Sequence, residues 1–309
     1  MKRLLILLSL FSLGTLNIYA LESTSSASLL TPDQTEEIAQ KPMVGAFKVS
    51  GNYLWSTKAD FKEDGFEDQH STFEQGVLDL SYIVKSPKRN GIFYGLGYTH
   101  TRLKWEQNPS FSKDNFSYLS AGVGGFNSSA VENWVFEGGA QVLLNTNHWS
   151  IKDYSLAFFV AKGRYAFRPN MGLHVGALGQ FGLQKNQFFP VLGIDYKVNQ
   201  WAFFCIFPRK VAVEYTFNEN WKFALEGKVF RARYRVGKDE TESKAIFEYR
   251  SAGFGLAATY MIKDRLSADL FTGYKTAGDL KIMNQYGQDA DFYKFKGAWY
   301  YGGKVSYSF

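Results

Sequence analysis

From residue 46 onward the chain alternates apolar and polar side chains with a period of two, in segments parted by turn-forming residues. In 77–84, Leu78, Leu80, Tyr82 and Val84 alternate with Val77, Asp79, Ser81 and Ile83. In 221–229, Trp221, Phe223, Leu225, Gly227 and Val229 alternate with Lys222, Ala224, Glu226 and Lys228. Val211, Val213, Tyr215 and Phe217 alternate in the same way with Ala212, Glu214 and Thr216. Successive side chains of a strand point to opposite faces, so the pattern predicts strands that are greasy on one side and polar on the other. Fourteen segments fit: 46–56, 73–86, 91–103, 115–126, 134–144, 154–167, 172–183, 190–197, 201–207, 211–217, 221–236, 245–261, 266–280 and 293–309. Merging the short segments within 190–217 would leave twelve.

The connections sort by parity. Those after even-numbered segments are short, such as Arg168-Pro169-Asn170-Met171 and Val198-Asn199-Gln200. Those after odd-numbered segments are mostly longer and more polar, as in 57–72, 104–114 and 281–292, with Arg209-Lys210 the exception. A transmembrane barrel has short turns on one side and long loops on the other, and a soluble sandwich has no cause to sort them. No amphipathic helices remain to cover the apolar faces, so lipid is their expected partner. Backbone groups cannot be left bare in hydrocarbon, so the last strand is expected to pair with the first. The fold class is therefore all-β: an antiparallel up-and-down transmembrane barrel over 46–309. Tyr82, Trp134, Tyr165, Phe167, Trp201, Trp221, Tyr260 and Tyr307 lie near the short turns, where an aromatic girdle would meet the headgroups.

Composition agrees. Aromatic residues make up 17% of the chain, with 28 Phe, 19 Tyr and 7 Trp, and 29 glycines stand against 7 prolines. Mean hydropathy is −0.24, low because polar inward positions offset apolar outward ones. Lys2 and Arg3 followed by an apolar run to Leu16, with Ala20 at a cleavage position, read as a secretory signal peptide over 1–20. Residues 21–45 read as a flexible periplasmic leader. Net charge is +6 with both signs interspersed, which gives no nucleic-acid stripe. Cys205 is the single cysteine, so an intramolecular disulfide and a cysteine-rich metal site are excluded.

The closing residues Lys304-Val305-Ser306-Tyr307-Ser308-Phe309 resemble the C-terminal signal of bacterial outer-membrane proteins. That resemblance implies a bacterial outer-membrane location and recognition of Val305, Tyr307 and Phe309 by the barrel assembly machinery. Pro190-Val191-Leu192-Gly193-Ile194-Asp195-Tyr196, with Trp201, Pro208, Tyr215 and Trp221, is similar to a spacing in outer-membrane barrels grouped only as a domain of unknown function. This second resemblance implies a fold and a location and no activity.

Inward positions carry charges of both signs: Asp79, Lys162, Arg164, Glu214, Lys222, Glu226, Lys228, Asp269, Lys275 and Lys304. They are candidates for lining a water-filled lumen, either selecting small solutes or pairing along the wall. His148-Trp149-Ser150 has the His-x-Ser spacing of some outer-membrane lipid hydrolases, yet Ile151 stands where those enzymes carry asparagine and no acidic partner is evident. His70, His100 and His174 form no metal spacing, and the acidic run 60–68 lacks ordered calcium-ligand spacing. No cofactor is implied. The expectation is a monomeric, passive porin-like channel or structural outer-membrane protein. A lipid hydrolase, or an adhesin or receptor acting through the outer loops, are the alternatives. An inward-folded loop or the leader could plug the barrel.

Overall fold

The protein is described from a computed structural model, covering residues 44–309 other than 67, 87–89, 129, 149 and 263–264. The signal peptide and nearly all of the leader lie outside these residues, and Val44 and Gly45 already belong to the first strand.

Sixteen strands form one antiparallel sheet, joined by a single-turn helix α1 (Ile151–Tyr154). They are β1 (Val44–Ser56), β2 (Ala59–Asp60), β3 (His70–Lys85), β4 (Asn90–Trp105), β5 (Asn115–Asn127), β6 (Trp134–Asn145), β7 (Ser155–Arg168) and β8 (Met171–Gly182). There follow β9 (Gln187–Val198), β10 (Trp201–Phe207), β11 (Lys210–Thr216), β12 (Trp221–Arg235), β13 (Ile246–Ile262), β14 (Leu266–Met283), β15 (Asp291–Phe295) and β16 (Ala298–Ser308). Two of the sixteen, β2 and β15, stand beside the ring, and the other fourteen close it. Closure is made by β1, which pairs with β16 (Asn52↔Lys304) and with β3 (Asn52↔Val77). Residues 190–217 hold parts of three separate strands, so the twelve-strand alternative is wrong.

One predicted strand is split. Residues 293–295 belong to β15, which pairs with the far end of β14, and β16 starts only at Ala298. The chain steps sideways at Gly297, where a Cβ would collide with the Tyr274 hydroxyl, so only glycine fits the step.

Apolar side chains cover the outer surface as the alternation requires. Leu78, Leu96, Leu192, Leu225, Leu256 and Leu270 are each more than half exposed. One rim, the turn end, carries the short connections and cross-strand aromatic pairs. Trp134–Tyr165, Trp201–Tyr215 and Trp221–Tyr260 have ring centroids 5.3, 4.7 and 4.7 Å apart. The opposite rim, the loop end, carries the long connections. The backbone N–H of Phe309 donates to the Phe47 carbonyl at 2.9 Å, and Val305 and Tyr307 face outward.

The wall is uneven in height. Strands β10 and β11 have seven residues each, against fifteen in β12. Seven residues at ~3.3 Å each and ~40° tilt climb about 18 Å, short of an apolar belt of about 25 Å. The β14 register also slips at Thr276, which has no partner opposite Ala252 and Gly253. Such a bulge bends and twists a strand pair. Above this level β12 and β13 turn inward, with β13 still laddered to the upper end of β14 as far as Ile246↔Met283.

Candidate functional site: a charged lumen under an aromatic plug

The lumen has two zones. Toward the turn end its lining is charged, and the charges meet one another. Lys162 and Glu137 stand opposite in register on β7 and β6, with Nζ and Oε2 2.9 Å apart. Arg164 on β7 crosses β8 to hold Asp195 on β9 with two hydrogen bonds of 2.7 Å. It passes over Gly172, where a Cβ would lie 2.6 Å from the guanidinium and push it aside. His174 Nε2 meets the same carboxylate at 2.6 Å. Glu214 is held by Lys210 at 2.6 Å and Lys222 at 3.5 Å. Glu226 and Lys228, two apart on β12, are paired at 2.7 Å, and the Lys228 ammonium sits 3.3 Å from the centre of the Phe271 ring. Asp269 is the register partner of Lys304, and Lys48 is within electrostatic reach of Lys304, Asp269 and Asp79. Asp79 lies over Gly97 of β4.

All nine lumen candidates (Asp79, Lys162, Arg164, Glu214, Lys222, Glu226, Lys228, Asp269 and Lys304) thus occupy the face opposite the lipid-facing row. Lys275, also read as inward, is buried higher up, its Nζ donating to the Tyr249 hydroxyl at 3.0 Å. Arg209, at the tip of the short β10–β11 hairpin, reaches back to within 3.9 Å of Glu137 on β6.

Toward the loop end the lumen is filled. Residues 230–235 of β12 and 246–249 of β13 are buried on both faces, which a wall strand between lipid and water cannot be. Strands β12 and β5 lie seven places apart in either direction around the ring. Fourteen strands at ~4.8 Å spacing and ~40° tilt imply a ring about 28 Å across. Yet the rings of Tyr234 on β12 and Tyr118 on β5 stack with centroids 4.5 Å apart. The Tyr118 hydroxyl donates to the Arg233 carbonyl at 2.8 Å, and the Tyr234 hydroxyl meets Thr101 Oγ1 of β4 at 2.9 Å. Phe247 packs on Phe116 at 4.6 Å, and Tyr249 stacks on Phe73 at 4.3 Å. The loop end of the hairpin therefore bends across the mouth and seals it with aromatic rings.

Above the seal, Phe61 and Phe66 of the β2–β3 connection pack with Trp105 at the end of β4 and Tyr293 of β15, with Trp105–Tyr293 centroids 4.8 Å apart. An isolated bridge between Phe61 and Phe295 ties β2 to β15 and carries the wall above the ring.

The face of the hairpin turned away from the lumen changes character where it bends. Below, it presents Trp221, Phe223 and Leu225 to lipid. Above, the same positions are Arg231, Arg233 and Arg235, all buried. Arg233 Nη2 donates to the Leu183 carbonyl at 2.6 Å and Arg235 Nε to the Asp153 carbonyl at 2.7 Å. Arg231 donates to Glu248, and to Gln187 Oε1 at 2.8 Å.

The His-x-Ser candidate does not assemble into an acid–base pair. The His148 ring lies on Tyr154 at 4.7 Å and beside Gly237, while the Ser150 N–H bonds the His148 carbonyl at 2.9 Å. Trp149 is outside the described residues. Burial, and after it Lys113, hold the His148 imidazole below its ordinary pKa. Asp60 in the acidic loop pairs with His70 at 2.8 Å and Lys296 at 3.7 Å, which spends it on loop closure. Among the described residues no group of three His, Cys, Asp or Glu side chains could hold a metal.

Residues 85–308 match the family described as a domain of unknown function, DUF6268. The chain belongs to that family. An uncharacterized protein of Chlamydia trachomatis serovar D is 21% identical over 286 residues, spanning 87% of this DUF6268 chain and 89% of the relative. One from Chlamydia pneumoniae is 23% identical, spanning 89% and 90%. Among solved structures, the COG4313 outer membrane channel from Pseudomonas putida F1 is similar at TM-score 0.49 and 10% identity, covering 86% of this chain and 96% of that one. The Pseudomonas putida toluene transporter TodX is similar at TM-score 0.39 and 11% identity, covering 92% of each.

Sequence reasoning allowed the DUF6268 barrel a plug from an inward-folded loop or the leader, and missed that the ends of β12 and β13 fill the lumen. A trace of this was present: along 221–235 the apolar row turns basic at Arg231, while the opposite row, charged at Lys222, Glu226 and Lys228, turns apolar at Phe230, Ala232 and Tyr234. A strand that swaps lipid-facing apolar residues for arginines has left the lipid.

Proposed function

We propose that this barrel sits in a bacterial outer membrane with its turn end in the periplasm, and that it is a gated channel resting closed. The closed ring with its apolar girdle supports the location, since only closed barrels and helices satisfy their backbone in hydrocarbon. The gate is the β12–β13 hairpin. The observation that carries this reading is the abrupt passage, along one lumen, from paired charges to a dry stack of Tyr118, Tyr234, Phe116 and Phe247. A wall needing only mechanical strength has no use for a hydrated half beneath a seal made by one bent hairpin. Small polar solutes are the expected cargo, because the lining below the seal is charged. The outward row Val305, Tyr307 and Phe309 is the expected contact for the assembly machinery.

Planar-bilayer recording tests the channel reading. A variant in which 231–250 is replaced by a two-residue Asn-Gly turn ends the hairpin at the Phe230↔Ser251 rung. The full protein should conduct in rare, brief steps, and the shortened one in long-lived steps. A shortened barrel that inserts and folds but never conducts would leave a purely structural protein.

A further inference from the structure

Above the β10–β11 tip, strands β9 and β12 face each other with no backbone ladder between them. Pairing of β9 with β10 stops at Leu192↔Phe207, and pairing of β11 with β12 stops at Val211↔Gly227. Strand β9 nevertheless begins at Gln187, and β12 runs on to Arg235. Side chains close this seam: Arg231 to Gln187 at 2.8 Å, and Arg233 to the Leu183 carbonyl at 2.6 Å. It can widen without breaking any rung of the sheet.

The hydrogen bonding around the arginines is incomplete: Arg235 is held by the Asp153, Lys244 and Gln285 carbonyls, while Glu248 Oε2 and several guanidinium nitrogens have no partner. Arg231, Arg233 and Arg235 are 6%, 2% and 3% exposed. Nε and Nη1 of Arg231, Nε and Nη1 of Arg233, and Nη2 of Arg235 have no hydrogen-bond partner. They are short of negative charge too. One buried carboxylate, Glu248, faces Arg231, Lys185, Arg233 and Arg250, and Arg250 is already held by Asp279 at 2.7 Å. A buried guanidinium donor without an acceptor costs the full desolvation of that group. The complementary ligand is an anion with several oxygens in a compact arrangement, because arginine forks bind phosphate with paired hydrogen bonds.

Height fits the same ligand. Ten residues separate Trp221, in the turn-end girdle, from Arg231, and at ~3.3 Å per residue and ~40° tilt they climb about 25 Å, the full apolar belt. Arg231 therefore stands where headgroup phosphates of the far leaflet begin, directly above the low stretch of wall.

We infer that Arg231, Arg233 and Arg235 form a site for a phosphate ester anion, reached through the β9–β12 seam. The carrier is either an outer-leaflet lipid headgroup or a free phosphorylated solute. The site requires the membrane orientation proposed above but not conduction, so the two readings can fail separately.

The folded full-length barrel in a nonionic detergent is the material for the test. Native mass spectrometry with phosphatidic acid, and with diacylglycerol as its phosphate-free counterpart, probes the lipid source. Calorimetric titration with inorganic pyrophosphate probes the soluble one. One saturable equivalent of phosphatidic acid with none of diacylglycerol, displaced by pyrophosphate, establishes a lipid headgroup. Saturable pyrophosphate without retained phosphatidic acid establishes a soluble ligand. Arg231→Gln and Arg233→Gln should each weaken binding at least tenfold, and Lys58→Gln, an exposed loop cation, should leave it unchanged. Arg233→Lys keeps the charge and loses the fork, and should weaken binding at least threefold. Absence of saturable binding of either probe to the wild-type protein overturns the inference, as does equal weakening by Lys58→Gln.

Discussion

Truncating Tyr234 to alanine should unseal the lumen. The side chain is 0% exposed, stacks on Tyr118 across the ring and is hydrogen-bonded to Thr101 at 2.9 Å. Removing a packed aromatic ring costs about 3–5 kcal/mol, which includes roughly 0.5–1.5 kcal/mol for the ring pair. When the hairpin swings out, Tyr234 loses these contacts in any case, so the truncation weakens the closed state alone. At about 1.4 kcal/mol per tenfold, the closed-to-open ratio should drop by roughly 100- to 4,000-fold. Tyr234→Phe keeps the ring and loses one hydrogen bond worth about 1 kcal/mol, so its effect should stay near fivefold. Single-channel recording measures both as open probability, with cold-gel migration confirming a folded barrel. Folded Tyr234→Ala protein that opens no more often than wild type would refute the reasoning. Equal effects of alanine and phenylalanine would show that packing does not hold the gate.

Other consequences can be measured separately. Asp195→Asn leaves Arg164 and His174 around a neutral amide in a nearly closed pocket, and should cost about 3–5 kcal/mol, read as a lower unfolding temperature of the barrel. Gly172→Ala should displace the Arg164 guanidinium from Asp195 and destabilise the barrel in the same assay, whereas Gly76→Ala, whose added methyl would meet nothing closer than the Tyr53 ring at 3.9 Å, should cost far less. In the shortened-hairpin channel, Lys228→Glu should move ion preference toward cations, read as a shift in reversal potential, and an unchanged potential would place Lys228 away from the ion path. His148 titrates below its ordinary 6.5 because burial first, and Lys113 second, disfavour the imidazolium. Its neutral form therefore supports the packing of His148 on Tyr154 and beside Gly237, and that support is lost as pH falls from 6.5 through the lower native value. Amide protection factors around His148 and Gly237, corrected for the intrinsic pH dependence of exchange, should fall below pH 6.5 in wild type and stay constant there in His148→Gln.

Much of the fold was legible because a barrel strand is defined by its two faces. In 77–84 or 221–229 a slip of one residue would turn every leucine toward water, so the alternation sets both the strand and its inward row. That is why Lys162, Glu214, Glu226 and Asp269 could be assigned to the lumen without knowing their partners. The partners themselves were hidden. Arg164 reaches Asp195 over an intervening strand, across the bare surface at Gly172. The plug was hidden for a different reason: Tyr118 and Tyr234 are far apart in sequence, and local alternation is identical whether a strand stays in the wall or bends inside it. Residues 293–297 misled because the polar–aromatic pattern continues through Gly297 while the chain passes from β15, on the far end of β14, to β16, between β14 and β1. The arginine row at 231, 233 and 235 was the one local sign of the bend.

Solvent access to Ala232 reports most directly whether the hairpin end fills the loop end of the lumen. This residue is 0% exposed at the centre of the hairpin end. Ala232→Cys, placed in a Cys205→Ala background to remove the native thiol, can be challenged on intact cells with a membrane-impermeant maleimide. The account predicts no labelling at position 232 while a cysteine at Lys58 labels fully, and rapid labelling at 232 once Tyr234 is also alanine. A thiol at 232 that reacts as fast as one at 58 in the otherwise native barrel would contradict it.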